Sequence, residues 1–331
     1  MKLRRCLRGL CERLQIEIVA MTNNSGSKVI VIAGPTASGK TSLGVELALA
    51  LGGEIVNADS MQVYRGMDIG TAKPTSEEQK GVAHHLMDVV DPDEEYNAAM
   101  YRSMALPIIT DILSRRKMCF VVGGTGLYIK SLLSGLFDCP PADLELRESL
   151  CRECDLLGTG KLHERLKHLD PECAGRIHPN DRVRLIRALE IIQLTNRLPS
   201  ALSGEHGFRD RPLNALLLCM KVNREQLYER INKRSVSMVE GGLVEETENL
   251  LIQGYSPDLK PMKAIGYRHI VKHLKKEWTL IEAINRIQRD TRRYAKRQLT
   301  WFRADPDASW VDPEDFDPIL QKVKDFMRVP A

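Results

Sequence analysis

A chain of 331 residues with 43% hydrophobic and 28% charged side chains is long enough for two folded units with a sizeable core. No apolar run reaches the roughly 18 to 20 residues that cross a bilayer, and eight cysteines without a secretory signal read as reduced thiols; the expectation is a cytoplasmic protein without membrane association. The net charge of +4 says little by itself, but between Arg286 and Arg303 seven basic residues stand against Asp290 alone, an excess of +6 (7 − 1) that is larger than that of the whole chain.

In chain order, Leu3, Leu7, Leu10 and Leu14 share one helical face, and Glu12, Arg13, Gln15 and Glu17 interrupt any secretory apolar core. Residues 1–27 are therefore set aside as an extension: an upstream start, a surface helix or a targeting segment. From Lys28 short apolar strands alternate with longer helices, the pattern of a parallel sheet covered on both faces. Candidate strands are Lys28 to Ala33, Glu54 to Ala58, Leu86 to Val90, Met118 to Val122, Ala215 to Val222 and Ser309 to Val311. Between the fourth and fifth lie about ninety residues of helical periodicity broken by Pro and Gly, including a helix capped by Asn180 or Asp181. The expected organisation is an α/β core over 28–137 and 205–331, with an all-helical inserted domain over 138–204. A last long helix is expected from about Thr279 to Ala304. The Cys151–Cys154 pair, lacking a second pair of ligands, reads as two thiols on one helical face rather than half of a zinc site.

Three segments carry chemistry. In "VIVIAGPTASGKTSLGVELALAL" a strand runs into Gly34, Pro35, Thr36, Ala37, Ser38 and Gly39, and a helix opens at Lys40 and Thr41: the strand–loop–helix context of a phosphate-binding loop. Backbone N–H groups and the helix N-terminus surround an anion, Lys40 adds charge, and the Thr41 hydroxyl is suited to magnesium. The second strand delivers Asp59 at its carboxyl end, where open parallel sheets form their ligand crevice; there a carboxylate can take a proton, hold magnesium or cap its own loop. The strand "MCFVV" ends in "GGTG", which sets Thr125 beside the phosphate site or simply makes a tight turn. The basic "RRYAKRQLTWFR" combines Lys and Arg for phosphates with aromatic surface, a nucleic-acid pattern that is also that of a solvated helix.

Taken together, "GPTASGKT", "NADSMQVYRGMDIGTAKP", "HHLMDVVDP", "VVGGTGLYIKSLL", "HPNDRVRLIRALE", "AIGYRH" and "KRQLTWFR" resemble, in order, the bacterial tRNA dimethylallyltransferase family from about Val29 to Trp310. The resemblance implies a P-loop NTPase-like parallel sheet whose loop holds dimethylallyl diphosphate, with Mg2+ at Thr41. It also implies a tRNA anticodon stem-loop as acceptor, alkylated on the exocyclic amine of the adenosine 3′ to the anticodon. On that basis Asp59 takes the amine proton, Ser60, Met61 and Gln62 read the base, and Thr125 donates to the leaving diphosphate alongside Lys40 and Arg234. Further tRNA contacts are implied for Arg147 and for Val183, Arg184, Leu185, Ile186 and Arg187. The same holds for Ala264, Ile265, Gly266, Tyr267, Arg268 and His269, and for Lys296, Arg297, Gln298, Leu299, Thr300, Trp301, Phe302 and Arg303; Arg292 and Arg293 are expected to contribute to the salt dependence of binding. A monomer is the default. The rival readings are an adenylate prenyltransferase, a small-molecule kinase with the same loop, and an RNA-binding protein with an inert one.

Overall fold

The computed structural model describes residues 28–137, 139–140, 142–206 and 212–328; the leucine-faced extension lies outside the described residues. The chain divides into two compact units, one built from the residues up to Leu133 together with those from Pro212 onward, the other from Ser134–Arg211.

The larger unit is organised by β1 (Lys28–Ala33), whose six residues are all buried. A strand with no polar face can only sit between two neighbours and under helices on both sides. It does: β4 (Met118–Gly123) lies on one side, with Ile30 opposite Phe120, and β5 (Asn214–Met220) on the other, with Ile30 opposite Leu216. With β2 (Gly53–Asn57), β3 (His84–His85) and β6 (Ser309–Val311) the sheet is parallel throughout, in the order β3-β2-β4-β1-β5-β6. Because β1 connects to one side and β4 to the other across it, the strand order reverses at β1, and the crevice at the carboxyl ends opens there. The helix α1 (Lys40–Leu51) buries Leu43, Val45, Leu47 and Leu51 against this sheet, and α14 (Phe316–Arg328) contributes Ile319, Val323 and Met327 to the same core. Lys28 is buried at the opposite end of β1, where its ammonium donates to the carbonyls of Phe326 and Met327 and so satisfies the end of α14.

The expected third strand, Leu86 to Val90, is not one. Leu86 and Asp88 have φ of 60 and 55, which breaks the extended path; pairing is confined to His84–His85, and Val90 makes a lone bridge to Tyr64. The Asn57 side-chain amide donates to the Leu86 carbonyl (3.3 Å) in place of a ladder bond. The other five strands fall within two residues of their expected limits.

The remaining helices of this unit are α2 (Ser76–Gln79), α3 (Ala98–Ser114), α4 (Gly126–Ser134, whose last residue opens the smaller unit), α10 (Arg224–Glu240), α11 (Leu243–Ile252), α12 (Tyr267–Leu274) and α13 (Leu280–Arg303). A capping box, Thr279 with Glu282, fixes the start of α13. The described residues of the smaller unit hold helices and no strand: α5 (Leu144–Leu157), α6 (Thr159–Leu169), α7 (Pro171–Arg176), α8 (Arg182–Thr195) and α9 (Pro199–His206). Asp143, Asp170 and Asp181 cap α5, α7 and α8 through their carboxylates. Leu150, Leu162, Leu166, Leu185 and Leu189 form its core, with Cys154 in the cluster and Cys151 packed against it, which accounts for the two thiols.

Candidate active site

The loop after β1 is built for an anion. Gly39 caps α1 with φ 85, a conformation costly for residues with a Cβ, and Ala37 at φ 62 turns the chain just before it. The helix therefore opens with its N–H groups facing the crevice. Thr36, Lys40 and Thr41 line a pocket together with Asp59, Gln62, Thr71, Ala72 and Arg234. Burial pushes the Lys40 ammonium down to about 8; Asp59 opposes the shift and Arg234 reinforces it. Arg234 reaches the loop from α10, with its guanidinium 3.5 Å from the Thr36 hydroxyl and 3.4 Å from the Ala72 carbonyl, and burial lowers its pKa against the pull of Asp59. Lys40 and Arg234 are both held largely out of water, with Asp59 acting on both and Glu78 on Arg234 alone; two buried cations converging on one pocket can take up a polyphosphate.

Asp59 and Thr125 meet at adjoining strand ends. The Thr125 N–H donates to the Ala58 carbonyl (3.1 Å), and the Thr125 hydroxyl oxygen accepts from Ser60 N–H (3.0 Å). An Asp59 carboxylate oxygen accepts from Met61 N–H at 2.9 Å, which leaves the second oxygen to point at a ligand. Tyr294 on α13 hydrogen-bonds Thr125, and burial followed by the field of Asp59 raises its phenol pKa well above the usual value. The Gln62 amide N–H groups are spent on the Thr71 and Ala72 carbonyls (3.3 and 3.0 Å), so its carbonyl oxygen is what it can offer a base edge.

The wall formed by residues 67–73 hangs on a residue that sequence reasoning missed. The Glu246 carboxylate accepts from the N–H groups of Asp68, Ile69 and Gly70 (2.9, 2.8 and 3.0 Å) and from the Tyr267 hydroxyl (2.6 Å). Tyr267 is fully buried and fills the space beside Gly70, where a Cβ would lie 2.4 Å from its ring. The segment "AIGYRH", expected at RNA, is thus largely internal. Gly266, Tyr267 and His269 are buried, and His269 shares Asp290 with Arg268 (3.1 and 2.6 Å); Ala264 and Ile265 are half-buried and only Arg268 is exposed.

Burial corrects other expected contacts in the same way. On α13, Phe302 packs into the core and Leu299 packs against Leu227 and Ile231, while Gln298 is 6% exposed and bonded inward. The Arg292 guanidinium is half-buried on Asn232 at 2.5 Å rather than free for phosphate. Arg293, Lys296, Arg297, Thr300, Trp301 and Arg303 remain exposed on this helix. In the smaller unit Leu185 and Ile186 are core residues. The guanidinium groups of Arg147 and Arg187 both bind the fully buried Glu190 (2.8 and 2.7 Å), which leaves Val183 and Arg184 as the exposed members of their set. A carboxylate buried this deeply needs both partners, so these arginines are structural.

Comparison with known proteins places the chain in a family. The family model described as IPP transferase matches residues 62–305, and one described as isopentenyl transferase matches residues 27–90. The chain is 53% identical to the tRNA dimethylallyltransferase of Geobacter sulfurreducens over 302 residues, 90% of this chain and 97% of that one. It is 52% identical to tRNA dimethylallyltransferase 2 of Geotalea uraniireducens over 300 residues, with the same coverage. Among solved structures it matches the tRNA isopentenylpyrophosphate transferase of Bacillus halodurans with a TM-score of 0.67 and 42% identity, covering 91% of this chain and 95% of that one. A eukaryotic dimethylallyltransferase acting on tRNA matches with a TM-score of 0.75 and 32% identity, covering 88% of this chain and 75% of that one. The protein, whose chain matches these relatives over nine-tenths of its length, belongs to the tRNA dimethylallyltransferase (IPP transferase) family.

Proposed function

We propose that the protein transfers the dimethylallyl group from dimethylallyl diphosphate to the N6 amine of the tRNA adenosine 3′ to the anticodon, releasing diphosphate. The observation that carries this reading is the single pocket shared by the anion loop, with Lys40 and Arg234, and by Asp59. An exocyclic adenine amine is a poor nucleophile and must lose a proton as it bonds to carbon; Asp59 is the base that accepts it. The bond from the allylic carbon to the bridging oxygen breaks as the nitrogen–carbon bond forms, and the electron pair leaves with diphosphate. Thr125 donates to that oxygen, while Lys40, Arg234 and the amides of Ala37 to Thr41 spread its charge. The Gln62 carbonyl oxygen, with Ser60 and Met61 beside it, faces the base edge.

Magnesium fits the donor chemistry. The Thr41 hydroxyl lines the pocket as a hard oxygen ligand, and the Ser38 hydroxyl in the same loop is fully buried with no hydrogen-bond partner in the structure. Bound through Thr41 and the substrate phosphates, the ion would neutralise charge on the leaving diphosphate.

The acceptor is read as RNA from the exposed basic residues of α13, and as a flipped-out base because the amine must reach a pocket at the carboxyl ends of the central strands. A tRNA contact is proposed separately for Val183 and Arg184, the exposed residues of the α8 start in the helical unit. Catalysis by one chain in the cytoplasm completes the reading. The test is incubation with magnesium, dimethylallyl diphosphate and an unmodified tRNA with an adenosine-rich anticodon loop, followed by mass analysis of the digested nucleosides. A prenylated adenosine is the expected product; prenylation of AMP instead, or consumption of ATP, overturns the reading.

A further inference from the structure

The helix α13 presents two faces. Arg293, Lys296, Arg297, Thr300 and Arg303 are exposed, whereas Tyr294, Gln298 and Trp301, spaced by four and three residues, fall on one stripe that meets the strand-end loops, with Trp301 at its rim still 38% exposed. Each of the three engages a different atom of those loops. Tyr294 hydrogen-bonds the Thr125 side chain, and the Trp301 ring occupies the place where a Cβ on Gly126 would stand, 2.2 Å away. Gln298 touches both loops. Its carbonyl oxygen accepts from Thr36 N–H at 2.9 Å and its amide N–H donates to the Gly124 carbonyl at 2.8 Å.

We propose that Gln298 is a positioning residue that holds the phosphate loop and the "GGTG" turn at one separation, so that the loop amides, Lys40 and the Thr125 hydroxyl converge on a single diphosphate. The inference rests on the function proposed above. A side-chain amide suits both bonds, because one loop offers a donor and the other an acceptor and the amide carries one of each on adjacent atoms. The bond to Gly124 is buried and the bond from Thr36 partly so, and a lost partner leaves the Gly124 carbonyl unsatisfied out of water. Thr36 immediately precedes Ala37, whose φ of 62 redirects the chain. Fixing the Thr36 peptide therefore fixes the direction in which the following N–H groups point, and it withdraws the Thr36 N–H itself from the anion cradle.

The position is tested with Gln298→Met, which keeps length and loses both bonds, and Gln298→Glu, which keeps an acceptor for Thr36 and loses the donor for Gly124. Magnesium pyrophosphate binding, tRNA binding, kcat and KM are measured on the full chain, with thermal unfolding as control. For Gln298→Met the expectation is about 10-fold weaker pyrophosphate binding and a kcat lower by about 10- to 100-fold, as for a misplaced transition-state donor, with tRNA affinity within about two-fold. Gln298→Glu should keep the KM for dimethylallyl diphosphate near that of the unaltered protein while kcat falls, because the phosphate loop stays held and Thr125 does not. Unchanged pyrophosphate binding and kcat in Gln298→Met overturn the inference and leave the proposed function standing. Failure of the unaltered protein to bind magnesium pyrophosphate overturns the function first. If Gln298→Met does not fold, Gln298→Glu decides: equal losses in kcat and in affinity overturn a positioning role.

Discussion

The phosphate loop at residues 34–41 and the segment at 264–269 are equally distinctive as strings of residues, yet they do opposite things. The first turns Thr36, Lys40 and Thr41 into the pocket. The second turns Tyr267 and His269 away from any surface, onto Glu246 and Asp290, and so holds another loop in place. The difference follows from what each segment has to balance. A loop at a helix N-terminus carries unsatisfied N–H groups that an incoming anion can satisfy. A tyrosine hydroxyl and an imidazole in the interior must find partners within the fold. Distinctive sequence reports constraint, and only geometry tells whether the constraint is contact or support.

The largest effects belong to the presenting side. Asp59→Ala should lower kcat by about 10³-fold, within the range of a lost general base, and leave tRNA affinity within a few-fold, since the residue contacts the reacting amine and not phosphate. A comparable loss of tRNA binding would move Asp59 to the supporting class. Lys40 gives the comparison a pH signature. Its ammonium, pushed to about 8 by burial, is charged at neutral pH and loses its proton as pH rises through that value. Pyrophosphate affinity should therefore hold below pH 7 and weaken above pH 8. Calorimetry on Lys40→Met, which removes the group, should show only the pH dependence of the anion itself, and an identical profile in both proteins would remove Lys40 from the cradle.

Much of the presenting side was legible because its signals are local. An apolar hexapeptide, a glycine loop and a lysine lie within fourteen residues, and the caps of α8 and α13 sit beside the helices they start. The interior supports were not legible. Glu246 meets the N–H of Asp68 across 178 positions, Gln298 meets Thr36 across 262, and no spacing rule connects them. The third strand failed for another reason. "LMDVV" carries no glycine to announce the positive φ at Leu86 and Asp88, so its apolar run reads as extended when tertiary contacts bend it. Basic residues are ambiguous by type: Arg147 and Arg187, expected at tRNA, and Arg292, expected in the salt dependence of binding, each satisfy a partner of their own fold.

The supporting side predicts smaller losses of a different kind. Glu246→Gln replaces one acceptor oxygen by a donor that faces N–H groups, so the wall at 67–73 should loosen. About 10-fold lower kcat/KM is expected, through the Gln62 and Arg234 contacts to Ala72, with reduced thermal stability. Tyr267→Phe removes one bond to a carboxylate and should cost about 1.5 kcal/mol in urea unfolding, with tRNA affinity unchanged. Weaker tRNA binding without loss of stability would return the segment to the presenting class.

The smallest effect separates neighbours on one helix. Arg293 is exposed, whereas Arg292 donates to Asn232 and lies over the Tyr228 ring. If the outer face of α13 meets phosphates, Arg293→Gln combined with Arg297→Gln should shallow the log–log salt slope of tRNA affinity by roughly 0.7 to 0.9 for each contact removed. Arg292→Gln should leave that slope alone and appear in unfolding instead, because its partner is an amide oxygen of the same fold. Adjacent arginines of the same charge would then differ in which measurement they move. Equal slopes for the double variant and for Arg292→Gln would mean that exposure on this face does not predict phosphate contact.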